Sequence, residues 1–174
     1  MPTPERTSID AIVAAGQEIL EANGPAGLTM QAVAERVGVR APSLYKRVRD
    51  REALRVAVAT ASVDALATQL EAAGDDLSTL ARTYRTFAHA HPEGFRLMFN
   101  AAVSHQTLER SAAPIIRACT TAVGEADALD AARLFTAWAT GFLQMELSGA
   151  FRLGGDVDRA FDYGLRRLIA SLAD

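Results

Sequence analysis

Seven cations crowd the stretch from Arg36 to Arg55: Arg36, Arg40, Lys46, Arg47, Arg49, Arg51 and Arg55, set against Asp50 and Glu52 alone. The local charge is +5, whereas the 174-residue chain carries -3, so the remainder is near -8. An acidic body with one basic face repels a polyanion everywhere else, which is the footprint of a nucleic-acid binder; charge alone fits a solvated helix face equally well. His89, His91 and His105 with Cys119 are metal-ligand types, but His89 and His91 lie two apart, on different sides of a helix, and no metal is expected. Glu146, among Trp138, Phe142 and Met145, wants a partner: a cationic ligand, or a structural pair with Arg133 or Arg152, which is preferred. With no nucleophile elbow, phosphate loop or metal cluster, no enzyme and no cofactor are expected.

The elements that must carry these residues are helical almost throughout. Apolar positions recur at three- and four-residue spacing, and no sustained period-two run occurs. A first helix follows Pro4, lined by Ile9, Ile12, Val13, Gly16, Ile19 and Leu20, and stops at Asn23-Gly24-Pro25. Thr29 caps a short second helix with Val33, Ala34 and Val37 inward; Gly38-Val39 makes a tight connection, and Pro42 suits the first turn of a third. There Leu44 and Val48 pack inward and leave Ser43, Lys46 and Arg47 outward. Asp50 caps a long helix to about Ala73. Leu77–Ala90, Pro92–Phe99, Leu108–Val123, Ala128–Phe151 and Val157–Leu172 complete an all-α chain of about nine helices.

The composition, 49% hydrophobic and 22% charged, suits a globular core, and no apolar run approaches the roughly 18 residues of a membrane span. The start, Met1-Pro2-Thr3-Pro4-Glu5-Arg6, lacks a secretory pattern and Cys119 is the only cysteine, so a cytoplasmic protein with no membrane partner is expected.

Residues 28–48 have the length and inward pattern of a helix-turn-helix, whose outer helix must fit a major groove about 12 Å wide. Residues 9–58 resemble the DNA-binding domain of the TetR family of transcription regulators, through Ile12-Val13, Ala15, Gly24, Leu28-Thr29, Ala32-Val33-Ala34, Gly38-Val39, Ser43-Leu44-Tyr45 and Glu52-Ala53-Leu54. His91-Pro92-Glu93, Phe95-Arg96-Leu97-Met98-Phe99 and Trp138 to Phe151 resemble one branch of its C-terminal domain. Arg40 and Val48 depart from the family, which often has a serine or threonine cap and an aromatic there. The resemblance implies domains 1–50, a helix-turn-helix DNA-binding domain, and 51–174, a helical ligand-binding and dimerisation domain. It implies that Thr29, Tyr45 and Arg51 hold phosphates; Arg40, Pro42, Ser43, Lys46 and Arg47 complete the expected DNA face, the cations and Ser43 nearest the bases.

The penultimate helix is apolar over most of its circumference, and pairing it and the last helix with their two-fold copies would cover it. The residues expected at that homodimer interface are Phe135, Leu143, Leu147, Phe151, Phe161, Leu165, Leu168, Ile169 and Leu172; closing a monomeric core is the other reading. Candidate pocket residues are Phe87, Phe95, Met98, Phe99, Ile116, Cys119, Trp138, Phe142, Met145 and Glu146, an apolar set with one carboxylate. The expected partners are a double-stranded operator, a small effector and a second copy of the chain, the protein being a ligand-responsive repressor. A helical adaptor for acidic proteins, or a regulator without a ligand, are the other readings.

Overall fold

A computed structural model describes residues 8–172, and its helices follow from local capping and apolar spacing. α1 (Ile9–Gly27) starts where the Ser8 hydroxyl accepts the Ala11 amide at 3.1 Å. Gly24, at φ +67°, breaks it as expected, though a further turn follows through Pro25. α2 (Met30–Arg36) is capped by Thr29, whose hydroxyl accepts the Ala32 amide at 3.1 Å. It ends with Gly38 in the left-handed region at φ +72°: the Gly38 amide donates to the Glu35 carbonyl and the Val39 amide to the Ala34 carbonyl, satisfying acceptors that a helix end leaves orphaned. α3 (Ala41–Tyr45) is brief, but the Val48 amide reaches the Leu44 carbonyl at 2.9 Å and extends its turn. α4 (Arg51–Ala73), α5 (Leu77–Ala90), α6 (Pro92–Met98), α7 (His105–Val123), α8 (Ala128–Leu147) and α9 (Val157–Leu172) complete the nine helices among the described residues, which hold no strand.

Besides the extra turn of α1, two boundaries differ from the expectation by more than one residue. α7 begins three residues before Leu108, because Ser104 accepts the Thr107 amide and serves as its cap. α8 stops at Leu147 and does not reach Phe151. Gly149, at φ +66°, closes it, with the Gly149 amide on the Glu146 carbonyl and the Ala150 amide on the Met145 carbonyl.

The chain divides into two compact units. The first is Met1–Asp64 with His91–Thr107, which places the start of α4 and all of α6 with the N-terminal helices, unlike the expected break after residue 50. The reason is packing: Leu54, Val58 and Ala59 of α4 and Leu97 of α6 share one core with Ile12, Ile19, Leu20, Leu28, Val33, Leu44 and Val48. Gly16 lets α4 approach, for a methyl there would lie 2.7 Å from Val58 Cγ2. Glu21 of α1 fastens α6 by accepting the amides of Glu93 (3.1 Å) and Gly94 (2.8 Å), the orphan donors of its first turn, for which His91 supplies no side-chain cap.

The second unit is Ala65–Ala90 with Leu108–Asp174. Leu80, Phe87, Phe135, Ala139, Leu143, Phe161 and Leu165 are buried in it. Tyr84, also buried, lies 3.0 Å from the Thr140 hydroxyl, and burial pushes its phenol up to about 12.

Candidate nucleic-acid interface

The short α3 turn presents its polar side because two apolar anchors hold the other. Leu44 and Val48, four apart, are buried in the first unit's core, leaving Pro42, Ser43, Tyr45, Lys46 and Arg47 exposed. Tyr45 is 52% exposed, a large ring that this fold leaves about half uncovered. Arg40, also exposed, precedes the helix without capping it, so its side chain is not used by the backbone there. Gly38 sets the turn between α2 and α3. This is a helix-turn-helix with a cationic outer element.

Structure sorts the seven cations that sequence could only count. Arg36 pairs with Glu18 at 2.5 Å, Arg49 with Asp50 at 2.7 Å, and Arg55 with Glu52 at 3.1 Å and the Asn100 carbonyl. Arg51 is turned onto backbone: its Nε donates to the Leu28 carbonyl and its Nη2 to the Pro25 carbonyl, both at 2.8 Å. Arg40, Lys46 and Arg47 are the exposed cations around α3 itself. Asp50 caps α4 through the Ala53 amide at 2.8 Å; that bond and then Arg49 hold its carboxyl below the usual carboxylate range. The Thr29 hydroxyl oxygen accepts the Ala32 amide as the α2 cap, which leaves its O–H as a donor. The sequence reading missed the Arg51 contacts, and no signal in the sequence joins it to residues 23 and 26 positions earlier.

The ten pocket candidates divide between the units. Phe95, Met98 and Phe99 lie in the first, where Phe95 and Met98 are buried, Phe99 is exposed, and the Phe95 and Phe99 rings meet edge to face at 5.3 Å. Phe87, Ile116, Cys119, Trp138, Phe142, Met145 and Glu146 lie in the second. Trp138 and Phe142 gather on Phe161 at 5.4 and 5.3 Å, and Phe142 on Phe151 at 4.9 Å. Phe87 and Cys119 are buried, and burial raises the Cys119 thiol pKa. Met145 is exposed.

Glu146 does have a structural ion pair, but with neither expected arginine. Arg133 instead pairs with Asp130, and Arg152 donates to the Gly149 carbonyl. Arg85 of α5 donates to both Glu146 oxygens, His89 Nε2 lies 3.2 Å away, and Arg85 also reaches Asp158 and lies 4.7 Å over the Phe161 ring. Burial favours the neutral acid, yet the bonds from Arg85 and His89 outweigh it and keep the Glu146 pKa below its ordinary value. Beside this knot is a cavity of about 500 Å³ lined by Arg82, Arg85, Thr86, His89, Asp158 and Phe161.

The interface expectation is corrected in part. Phe135, Leu143, Phe161 and Leu165 are buried within the chain's own core, out of reach of a second copy. An apolar circumference does not say which half its own subunit covers. Leu147, Leu168, Ile169 and Leu172 are half-buried and Phe151 is exposed.

Residues 6–58 match the family described as bacterial regulatory proteins, tetR family, and residues 77–168 match the tetracyclin repressor-like C-terminal domain. The chain belongs to the TetR family. An uncharacterized HTH-type transcriptional regulator of Mycobacterium tuberculosis, Rv0681, is 30% identical over 97% of this chain and 83% of its own length. Among solved structures, a protein of unknown function from Rhodococcus sp. RHA1 superposes with a TM-score of 0.80 at 25% identity, covering 100% of both chains. A substituted TetR from Acinetobacter baumannii AYE, solved in complex with minocycline, gives 0.71 at 26% identity, over 93% of this chain and 94% of its own. This TetR-family chain is thus a transcription regulator with an N-terminal helix-turn-helix. Among its described residues no helix is long and apolar enough to cross a membrane, and no group of three metal-ligating side chains stands together.

Proposed function

We propose that this regulator is a homodimeric repressor that reads a palindromic operator with its two α3 turns and lets go when a small, largely apolar effector occupies its C-terminal helices. The observation that carries the reading is the α3 turn: Leu44 and Val48 buried, with Arg40, Ser43, Tyr45, Lys46 and Arg47 exposed around it. Tyr45 suits a phosphate contact that sets register, and Lys46 and Arg40 suit the guanine edge. Two such heads address half-sites about 34 Å apart, so a modest change in their separation abolishes simultaneous binding.

Dimerisation is supported by exposed apolar and small residues at three- and four-residue spacing on α8, namely Leu134, Ala137, Gly141 and Met145. The apolar effector is supported by the aromatic group of Trp138, Phe142 and Phe161, and by Glu146, whose charge is already answered by Arg85 and therefore asks for no cationic ligand. A small effector is also supported by the Acinetobacter relative, which was solved in complex with minocycline.

Selection of bound duplexes from a random pool tests the reading. Palindromic sites are expected, bound less tightly as salt rises. Tyr45→Ala should then weaken all sequences alike, whereas Lys46→Ala should also relax preference at one base pair, by about 1–3 kcal/mol. Unselective, salt-insensitive binding or unchanged affinity in both variants would refute it.

A further inference from the structure

Resting on the DNA-binding reading above, we infer that Arg51 is a positioning residue for DNA recognition, holding the α1–α2 link in place through one edge of its guanidinium. Its position at the first residue of α4, within the cationic stretch, and the family resemblance invite the phosphate role. One edge of its guanidinium is committed elsewhere. Nε and Nη2 form one edge of the planar fork, and that edge is occupied by the carbonyls of Leu28 and Pro25, each at 2.8 Å.

Those two acceptors are placed where backbone needs help. Gly24 interrupts α1, Pro25 sits in its last turn and Leu28 is the residue after it, so their carbonyls lie at a helix end, where orphaned acceptors occur. Leu28 is 1% exposed and precedes Thr29, the cap of α2. Fixing the link therefore fixes where α2 begins, and through the Gly38 turn where α3 stands. The anchor itself is firm: Asp50 caps α4 at the Ala53 amide, while Leu54 and Val58 are wholly buried in the same core as Leu28 and Leu44. Arg51 thus ties the entry of the reading pair to the helix that carries the core. A lysine keeps the charge but replaces a rigid fork with a single flexible ammonium.

The test uses Arg51→Lys and Arg51→Gln in the full chain, titrated with a selected duplex over a salt series, beside amide exchange without DNA. Both variants should lose on the order of tenfold in affinity at every salt, with the slope of log affinity against log salt unchanged. The Ala32 and Val33 amides, both bonded to Thr29, should exchange faster in both. A lysine variant that binds like the unsubstituted protein, with a glutamine variant whose slope is shallower by about 0.9, would overturn the inference in favour of a phosphate contact. Unchanged exchange in both variants would overturn it too. If the unsubstituted protein selects no duplex, the regulator reading fails, and the exchange rates still decide whether Arg51 holds the link.

Discussion

Replacing Glu146 with leucine would leave Arg85 inside the second unit with one remaining carboxylate, Asp158, whose side chain is 80% exposed. The side chains of Arg85 and Glu146 are 17% and 11% exposed, so this pair is largely withdrawn from water. Removing one member of a buried pair costs about 3–5 kcal/mol, because the survivor's charge loses its compensation. Here the loss is smaller, since Arg85 keeps Asp158, worth at most about 1 kcal/mol, and the Phe161 ring beneath it, worth a similar amount. The expected cost is therefore about 1–3 kcal/mol, a fall of about 2–12 °C in Tm for a chain of this size. Calorimetric melting of Glu146→Leu, Arg85→Met and the double variant measures it. The double variant should recover most of the loss, as apolar replacement of a whole buried pair is close to neutral. A single variant that melts like the unsubstituted protein, or a double variant as unstable as the single, would show that the pair does not act as described.

Acid should erase the same contribution: the Glu146 pKa is held below its ordinary 4.5, so its stabilisation is complete above that value and fades as pH falls through the lower folded value. The gap in stability between the unsubstituted protein and Glu146→Leu should accordingly close on acidification, in denaturant titrations across pH. Gly38→Ala forces a side chain into the left-handed turn at φ +72° and should cost about 1–2 kcal/mol while weakening DNA binding, read by melting and by duplex titration. A methyl at Gly164 would lie 2.7 Å from Trp138 Cζ2, so Gly164→Ala should destabilise by about 1–3 kcal/mol and shift the emission of the single tryptophan. Met145→Glu places a charge on the exposed α8 face and should shift sedimentation toward the monomer.

What the sequence determined by itself is what short range controls. Thr29 and Asp50 act within three residues as caps, Gly38 takes the left-handed turn that its missing Cβ allows, and Leu44 and Val48 are neighbours on one helical face; the helix-turn-helix was legible for that reason. Gly149 is an equally local stop, but the apolar run that continues past it to Phe151 masks it in the sequence. Tertiary structure alone decided the rest. Glu21 finds the α6 amides 72 and 73 residues away, Arg51 finds carbonyls 23 and 26 residues back, and Glu146 finds Arg85 across 61, separations that no periodicity encodes. The same holds for Phe135, Leu143, Phe161 and Leu165: spacing marks a side chain for burial, but whether its own chain or a second copy buries it depends on which helices pack together.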